Sequence, residues 1–224
     1  MTSRPLLPLV LASALLAAMP FAASAQAQAA PPAAATMQGE SPSKLVLDNS
    51  QRILSTLEAR RAEFTADRSK LQAFIASEFD QMFDREYSAR QVLGRHGRGA
   101  DDADVKVFAD ALADSLMRRY GSSLLDFNTQ LKVRVKSETP LPRGLGVKVS
   151  SEMLRSGGEP IPVDYLMRRT GNGWRVFDVM VEGVSFVQTF RQQFDTPLSR
   201  KSIRDVAADL RAGRMQADAG TGGK

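Results

Sequence analysis

The strongest constraint on how this chain folds is a tight turn set between two strand-like runs. Gly171-Asn172-Gly173 separates Ile161–Arg169 from Trp174–Val181. Asn and Gly accept the positive φ that tight hairpins demand, so the two runs are expected to pair antiparallel. Pro162 stands at the start of its strand, where a missing N–H is tolerated. Past Val181 the period changes, and Val184, Val187, Phe190 and Phe194 share one face of an expected helix. Strand, turn, strand and helix in direct succession predict an antiparallel sheet packed with helices, an α+β domain.

Two more strands are expected upstream. Leu131, Val133 and Val135 alternate with Lys132, Arg134 and Lys136, and Val147, Val149, Ser151 and Met153 alternate in a second run. Period two of this kind marks half-buried strands, giving a sheet of about four. Gly157-Gly158 turns the chain into the hairpin.

Helical spacing dominates the first half. Val46, Leu47, Ile53, Leu54 and Leu57 predict a helix over about 44–61, after Pro42-Ser43. Asp67 is a natural N-cap for a second, whose stripe runs Leu71, Phe74, Ile75, Phe79, Met82 and Phe83. Three phenylalanines and a methionine on one stripe fit either ordinary core or the wall of an apolar cavity. A short helix over 87–93 ends at Gly94, and another runs from Asp101 or Asp102 to about Leu125, with Val105, Phe108, Leu112, Leu116 and Tyr120 on its apolar face. Ser202 and Asp205 have capping-box spacing before a last helix carrying Val206 and Leu210.

The ends read differently. Arg4, the apolar run Leu6–Ala18 and Ala23-Ser24-Ala25 make residues 1–25 an expected secretory signal. The apolar run falls short of the roughly 20 residues a membrane span needs. Residues 26–42 are Ala-, Pro- and Gln-rich and read as a disordered linker, and 213–224 as a disordered Gly/Ala tail. One domain over 43–212 remains. The chain has no cysteine, so this domain has no disulfide and folds on its hydrophobic core alone.

Little in the chain points to chemistry. The formal net charge of +5 suits either approach to anionic lipid or plain solubility. No Lys/Arg tract interleaved with aromatics marks a nucleic-acid surface. A single histidine, His96, sits in a Gly/Arg loop with no carboxylate nearby in sequence, and reads as a solvated loop residue. One histidine and no cysteine leave no structural zinc site. Asp164, Asp178 and Glu182 lie on or beside the hairpin; an aspartate general base with Tyr165 or Tyr120 as donor is an alternative to plain outward-facing polar residues. The glycines at 157–158 and 171–173 open no helix, so they read as turns rather than phosphate cradles.

The order of these elements is informative as a whole. Val92-Leu93-Gly94 closes a short helix, and Phe108, Leu112, Leu116 and Tyr120 follow. Pro162-Val163-Asp164-Tyr165, Arg168-Arg169, Trp174, Val176-Phe177-Asp178-Val179 and Glu182-Gly183-Val184-Ser185 come next. In order and spacing this run resembles the MlaC, or toluene-tolerance auxiliary, family of periplasmic phospholipid shuttles. The resemblance extends over roughly residues 45–210 and is strongest over 161–194. One departure is Gly97, where the family usually carries an aromatic, and it leaves the role of the Gly94–Gly99 loop open.

The resemblance implies a cone-like fold, similar to nuclear transport factor, around a deep apolar pocket near the upper end of the roughly 300–1,000 Å³ common for ligand sites. It implies a periplasmic, non-enzymatic carrier with no cofactor and phospholipid as cargo. The implied partners are an outer-membrane lipoprotein–porin complex and an inner-membrane ABC lipid transporter with a lipid-binding ring, and the implied role is maintenance of outer-membrane asymmetry. The apolar stripes nominate Phe79, Phe83, Phe108, Leu112, Tyr120 and Phe190 as pocket wall on helices. The period-two phase nominates Val163, Tyr165, Trp174 and Val176 on strands. Three alternatives stay open: a carrier of another apolar lipid such as a hopanoid, an isomerase-like enzyme on the same fold, and an adaptor that only binds proteins.

Overall fold

The structure is a computed structural model that describes residues 41–121, 125, 131–155 and 157–219. The expected signal and nearly all of the expected linker lie outside these residues. Helices α1 (Pro42–Ala59), α2 (Arg61–Ala66), α3 (Arg68–Met82), α4 (Arg85–Leu93) and α5 (Asp102–Tyr120) come first. Strands β1 (Lys132–Pro140), β2 (Val147–Leu154), β3 (Ile161–Thr170), β4 (Gly173–Val181) and β5 (Val184–Ser185) follow, then α6 (Phe186–Leu198) and α7 (Ile203–Arg211). The strands form one antiparallel meander in the order β1-β2-β3-β4-β5.

Capping side chains set the helix starts. Ser41, Asp67, Asp84, Ser185 and Ser202 each accept from a backbone N–H in the first turn of α1, α3, α4, α6 and α7. Each such cap is worth about 1 kcal/mol. Asp67 and Ser202 occupy the cap positions expected from sequence. The first helix is shorter than expected. It breaks at Arg60, and the short α2 that follows buries Phe64 completely. The helix expected to reach Leu125 stops at Tyr120.

The sheet differs from expectation at two places. Glu182 and Gly183 take φ of 52° and 82°, a tight reversal that pairs β4 with a fifth, two-residue strand. Val184 is therefore a half-exposed strand residue and not part of the helix face assigned to it. Between β3 and β4 the register shifts, with Leu166 opposite Asp178 but Met167 opposite Val176. Phe177 is the extra residue of this bulge. Bulges re-aim side chains, and the Phe177 ring here meets Tyr87 edge-on at 5.3 Å.

Three buried clusters hold the domain. One joins α4, α5, α6 and α7 around Phe108 and Phe194, whose rings meet edge-to-face at 5.4 Å. A second packs Val46 of α1 and Met82 of α3 on Val149, Met167 and Val176 of the sheet. The third gathers Leu57, Phe64, Leu71, Ile75 and Leu125.

Residues 213–219 depart from the disordered tail that composition suggested. Ala217 and Ala219 are buried against the α5–α6 cluster. Ser115 Oγ accepts from the Ala217 N–H, and Gln193 bonds both the Gln216 carbonyl and the Asp218 N–H. Fixed side chains of α5 and α6 satisfy the tail's backbone, which its own polar composition does not reveal. Residues 220–224 lie outside the described part of the chain.

Candidate binding cavity

The elements of the helical cluster and β4 do not close completely on one another. They leave between them an apolar cavity of about 230 Å³ that opens to solvent. Helix α5 gives it a floor through Ala109, Leu112, Ala113 and Leu116, a stripe at helical spacing. Alanines a turn apart leave room where larger residues would fill it. Ala89 and Val92 of α4 form one side, and Phe186, Val187 and Phe190 of α6 form another. The bulged stretch Phe177-Asp178-Val179 forms the sheet side. Phe79 and Phe83, at the end of α3, complete the wall with parallel rings 3.8 Å apart. Phe79 is 37% exposed, so this ring pair stands where the cavity meets solvent.

Three polar side chains border this space. Ser88 donates to the carbonyls of Asp84 and Phe177 and so ties α4 to the bulge. Asp178 is buried, accepting from Ser185 Oγ at 2.6 Å and from the Val187 N–H at 3.0 Å. It thereby holds the start of α6 against β4. Burial pushes its carboxyl above the usual carboxylate range, and the Ser185 hydroxyl and Val187 N–H pull partly against that. Arg85 is held by Asp80 at 2.6 Å and by Asp110 at 3.1 Å, while its buried Nε meets no acceptor among the described residues.

The nominated pocket residues divide. Phe79, Phe83, Leu112 and Phe190 line the cavity together. Phe108 does not; it is fully buried against Phe194. Tyr120 donates its hydroxyl to Asp218 and accepts from the Ala219 N–H, fixing the tail. Tyr165 and Val176 belong to the packing around Val46 instead, and Val163 is buried on β3 opposite Ser151 and Val181. Trp174 borders a separate groove beside Arg169. Strand periodicity identifies a buried face, and here much of that face meets α1 rather than the cavity. The wall from Ala89, Ala109 and Ala113 was missed; alanines one turn apart on α5, flanked by Leu112 and Leu116, were the available signal.

The cavity is smaller than the expected acyl-chain pocket. Its volume lies below the lower end of the roughly 300–1,000 Å³ range of ligand sites.

The groups considered for acid–base chemistry are dispersed. Asp164 faces Lys148 at 3.7 Å, Glu182 sits in the β4–β5 turn, and Tyr165 lies outside the cavity lining. No tyrosine or histidine lines the cavity opposite Asp178. His96 is not the solvated loop residue expected from its neighbours in sequence. It lies 3.0 Å from Asp195 of α6, a carboxylate 99 positions away that the fold brings to it. Among the described residues, no cluster of His, Asp or Glu is arranged to hold a metal ion.

An α+β domain whose helices and antiparallel sheet enclose an apolar cavity is a binding fold of defined type. Comparison with known proteins narrows it. The sequence profile of the family described as "MlaC protein" matches residues 47–212, and the chain belongs to that family. It is 23% identical over 192 residues to the toluene tolerance protein ttg2D of Pseudomonas putida, spanning 82% of this chain and 87% of that one. Its fold is similar to that of a phospholipid-binding protein from Ralstonia solanacearum solved in complex with a phospholipid. That match has a TM-score of 0.67 and 19% identity, covering 76% of this chain and 97% of the other.

Proposed function

We propose that this protein is a periplasmic carrier that holds phospholipid in the cavity between α3, α4, α5, α6 and β4. The observation that carries the reading is an almost wholly apolar cavity whose one buried carboxylate, Asp178, is taken up in holding Ser185 and the Val187 N–H at the start of α6. Membership of the MlaC family and the phospholipid found in the Ralstonia protein support it. The cargo moves between an outer-membrane lipoprotein–porin complex and an inner-membrane ABC transporter with a lipid-binding ring, which maintains outer-membrane lipid asymmetry. Residues 1–25 direct export and are removed.

The energetics fit a carrier. Each buried CH₂ is worth about 0.8 kcal/mol, so two acyl chains of ~15 CH₂ each resist water by roughly 20 kcal/mol or more. Apolar walls replace that water without bond chemistry. To admit a diacyl lipid the walls must part beyond 230 Å³. Phe79 is 37% exposed and stacked on Phe83, which makes it the ring to move. Breaking such a stack costs only about 0.5–1.5 kcal/mol. Arg85 stands on the wall with its charge met by Asp80 and Asp110.

Mass spectrometry of lipid extracted from the purified protein tests the reading. Stoichiometric diacyl phospholipid is the expected result. A triterpenoid in its place assigns a different apolar cargo, and protein free of lipid after expression with its membrane partners rejects the carrier reading.

A further inference from the structure

The β3–β4 hairpin carries an arrangement that a sheet ordinarily avoids. Arg168 and Arg175 stand directly opposite each other across the two strands, and like charges so placed repel. In the next pair Arg169 faces Trp174, its guanidinium 5.9 Å from the ring, and on the other side Arg168 lies 4.2 Å over the ring of Tyr87. Beside them, the β1–β2 connection holds Arg143 at φ 59°, a backbone region costly for a side chain with a Cβ. The same connection presents Leu145 with 55% of its surface exposed. Tyr87, Gly144, Leu145, Gly146, Arg168, Arg169 and Trp174 together line a groove of about 310 Å³.

The fold engages two of these arginines and leaves two to solvent. Arg168 Nε meets Asp84 at 3.4 Å, and Arg175 donates to the Asp80 carbonyl at 2.8 Å. Arg143 and Arg169 are exposed, and no carboxylate stands among the groove-lining residues. The presentation is also rigid. Gly146 has φ 140°, and a Cβ there would lie 1.9 Å from the Met167 carbonyl oxygen, so the connection is pinned to β3 by the absence of a side chain.

We propose that this groove docks the protein onto an anionic phospholipid surface. Arg143 and Arg169 meet lipid phosphates, for which the guanidinium fork is well shaped. Trp174 suits the head-group level, and Leu145 enters the acyl boundary. An acidic peptide satisfies the arginines but gives the exposed Leu145 nothing apolar to enter, so the bilayer is the better complement. Docking there also sets the cavity close to the membrane, because Tyr87 of the groove packs on Phe177 of the cavity wall. The docking surface stands on its own geometry; that it serves lipid transfer rests on the carrier reading.

The test is flotation of the full chain with phosphatidylcholine vesicles, with and without phosphatidylglycerol, at low and moderate salt. The protein is expected to bind vesicles containing phosphatidylglycerol, to weaken as salt rises, and to bind phosphatidylcholine alone poorly. Each arginine near an anionic surface contributes about fivefold, so R143E/R169E is expected to lose on the order of thirtyfold or more. Both side chains are exposed, so the fold should survive, which thermal melting checks. Leu145→Ser tests the apolar tip without changing charge and should weaken binding severalfold. Arg200→Glu, at an exposed position after α6, should change binding less than about twofold. The proposal is overturned if R143E/R169E binds like the parent, if Arg200→Glu weakens binding equally, or if acidic polypeptide binds while the vesicles do not. Lipid content measured on the same preparations separates the two readings. Vesicle binding without cargo sinks the carrier, and cargo without vesicle binding sinks the docking surface.

Discussion

Replacing Ala113 by leucine should make the protein more stable and a worse lipid binder. Ala113 lies on the cavity side of α5, one turn from Ala109, and is half-buried. Leucine adds three carbons, which can enter the 230 Å³ space without displacing a neighbour. At about 0.8 kcal/mol per buried carbon the native state gains up to roughly 2 kcal/mol. The same three carbons exclude about as many methylenes of an acyl chain, so lipid affinity falls by a similar free energy, on the order of fiftyfold. Ala111 supplies the contrast. It is fully buried in the α4–α7 cluster and does not line this cavity, so Ala111→Leu should overpack and cost about 1–3 kcal/mol. Denaturant midpoints and lipid-to-protein ratios of both variants measure the two effects. The reasoning is refuted if Ala113→Leu destabilises as much as Ala111→Leu, or if it is stabilised and still carries lipid at the parent ratio.

Asp178 gives a pH signature. Its folded-state pKa is raised by burial above the unfolded value. For an acid shifted this way the folded state binds the extra proton, so stability falls as pH rises from the unfolded pKa through the folded one, and the full penalty persists above it. Asp178→Asn lacks this penalty and still accepts from the Val187 N–H. Its stability relative to the parent should therefore grow as pH rises from the ordinary carboxylate range towards neutrality, with lipid content unchanged; a difference that is flat or shrinks with pH contradicts this. Gly146→Ala should lose more than about 2 kcal/mol, because both the positive φ and the Met167 carbonyl oppose a Cβ, and a denaturation midpoint near the parent's would mean that the connection can lift off β3.

Much of the fold was legible because its turns are built from residues with narrow roles. Gly171-Asn172-Gly173 positioned β3 and β4, and Asp67 and Ser202 announced two helix starts. Features that depend on one or two residues were not legible. The fifth strand is two residues long, and the β4 bulge leaves the alternation of apolar residues nearly intact. The cavity was half visible for a related reason. Periodicity shows which face of an element is apolar but not which neighbour that face meets. Phe108 and Leu112 share a stripe one turn apart, yet one packs on Phe194 and the other lines the cavity. On the strands, Tyr165 and Val176 pack towards α1, Phe177 reaches the cavity at the bulge, and Val179 borders both. The tail was illegible because its order comes from Ser115, Tyr120 and Gln193 in distant helices. Likewise, no local pattern places Asp195 beside His96.

A crystal structure of the protein purified with its native lipid tests the central claim most directly. The account predicts acyl chains running between Leu112 of α5 and Phe190 of α6, under the bulge at Phe177-Asp178-Val179, with the Phe79 ring swung away from Phe83 and the cavity enlarged well beyond 230 Å³. Lipid bound elsewhere on the protein, with the Phe79–Phe83 stack and the cavity unchanged, would contradict it.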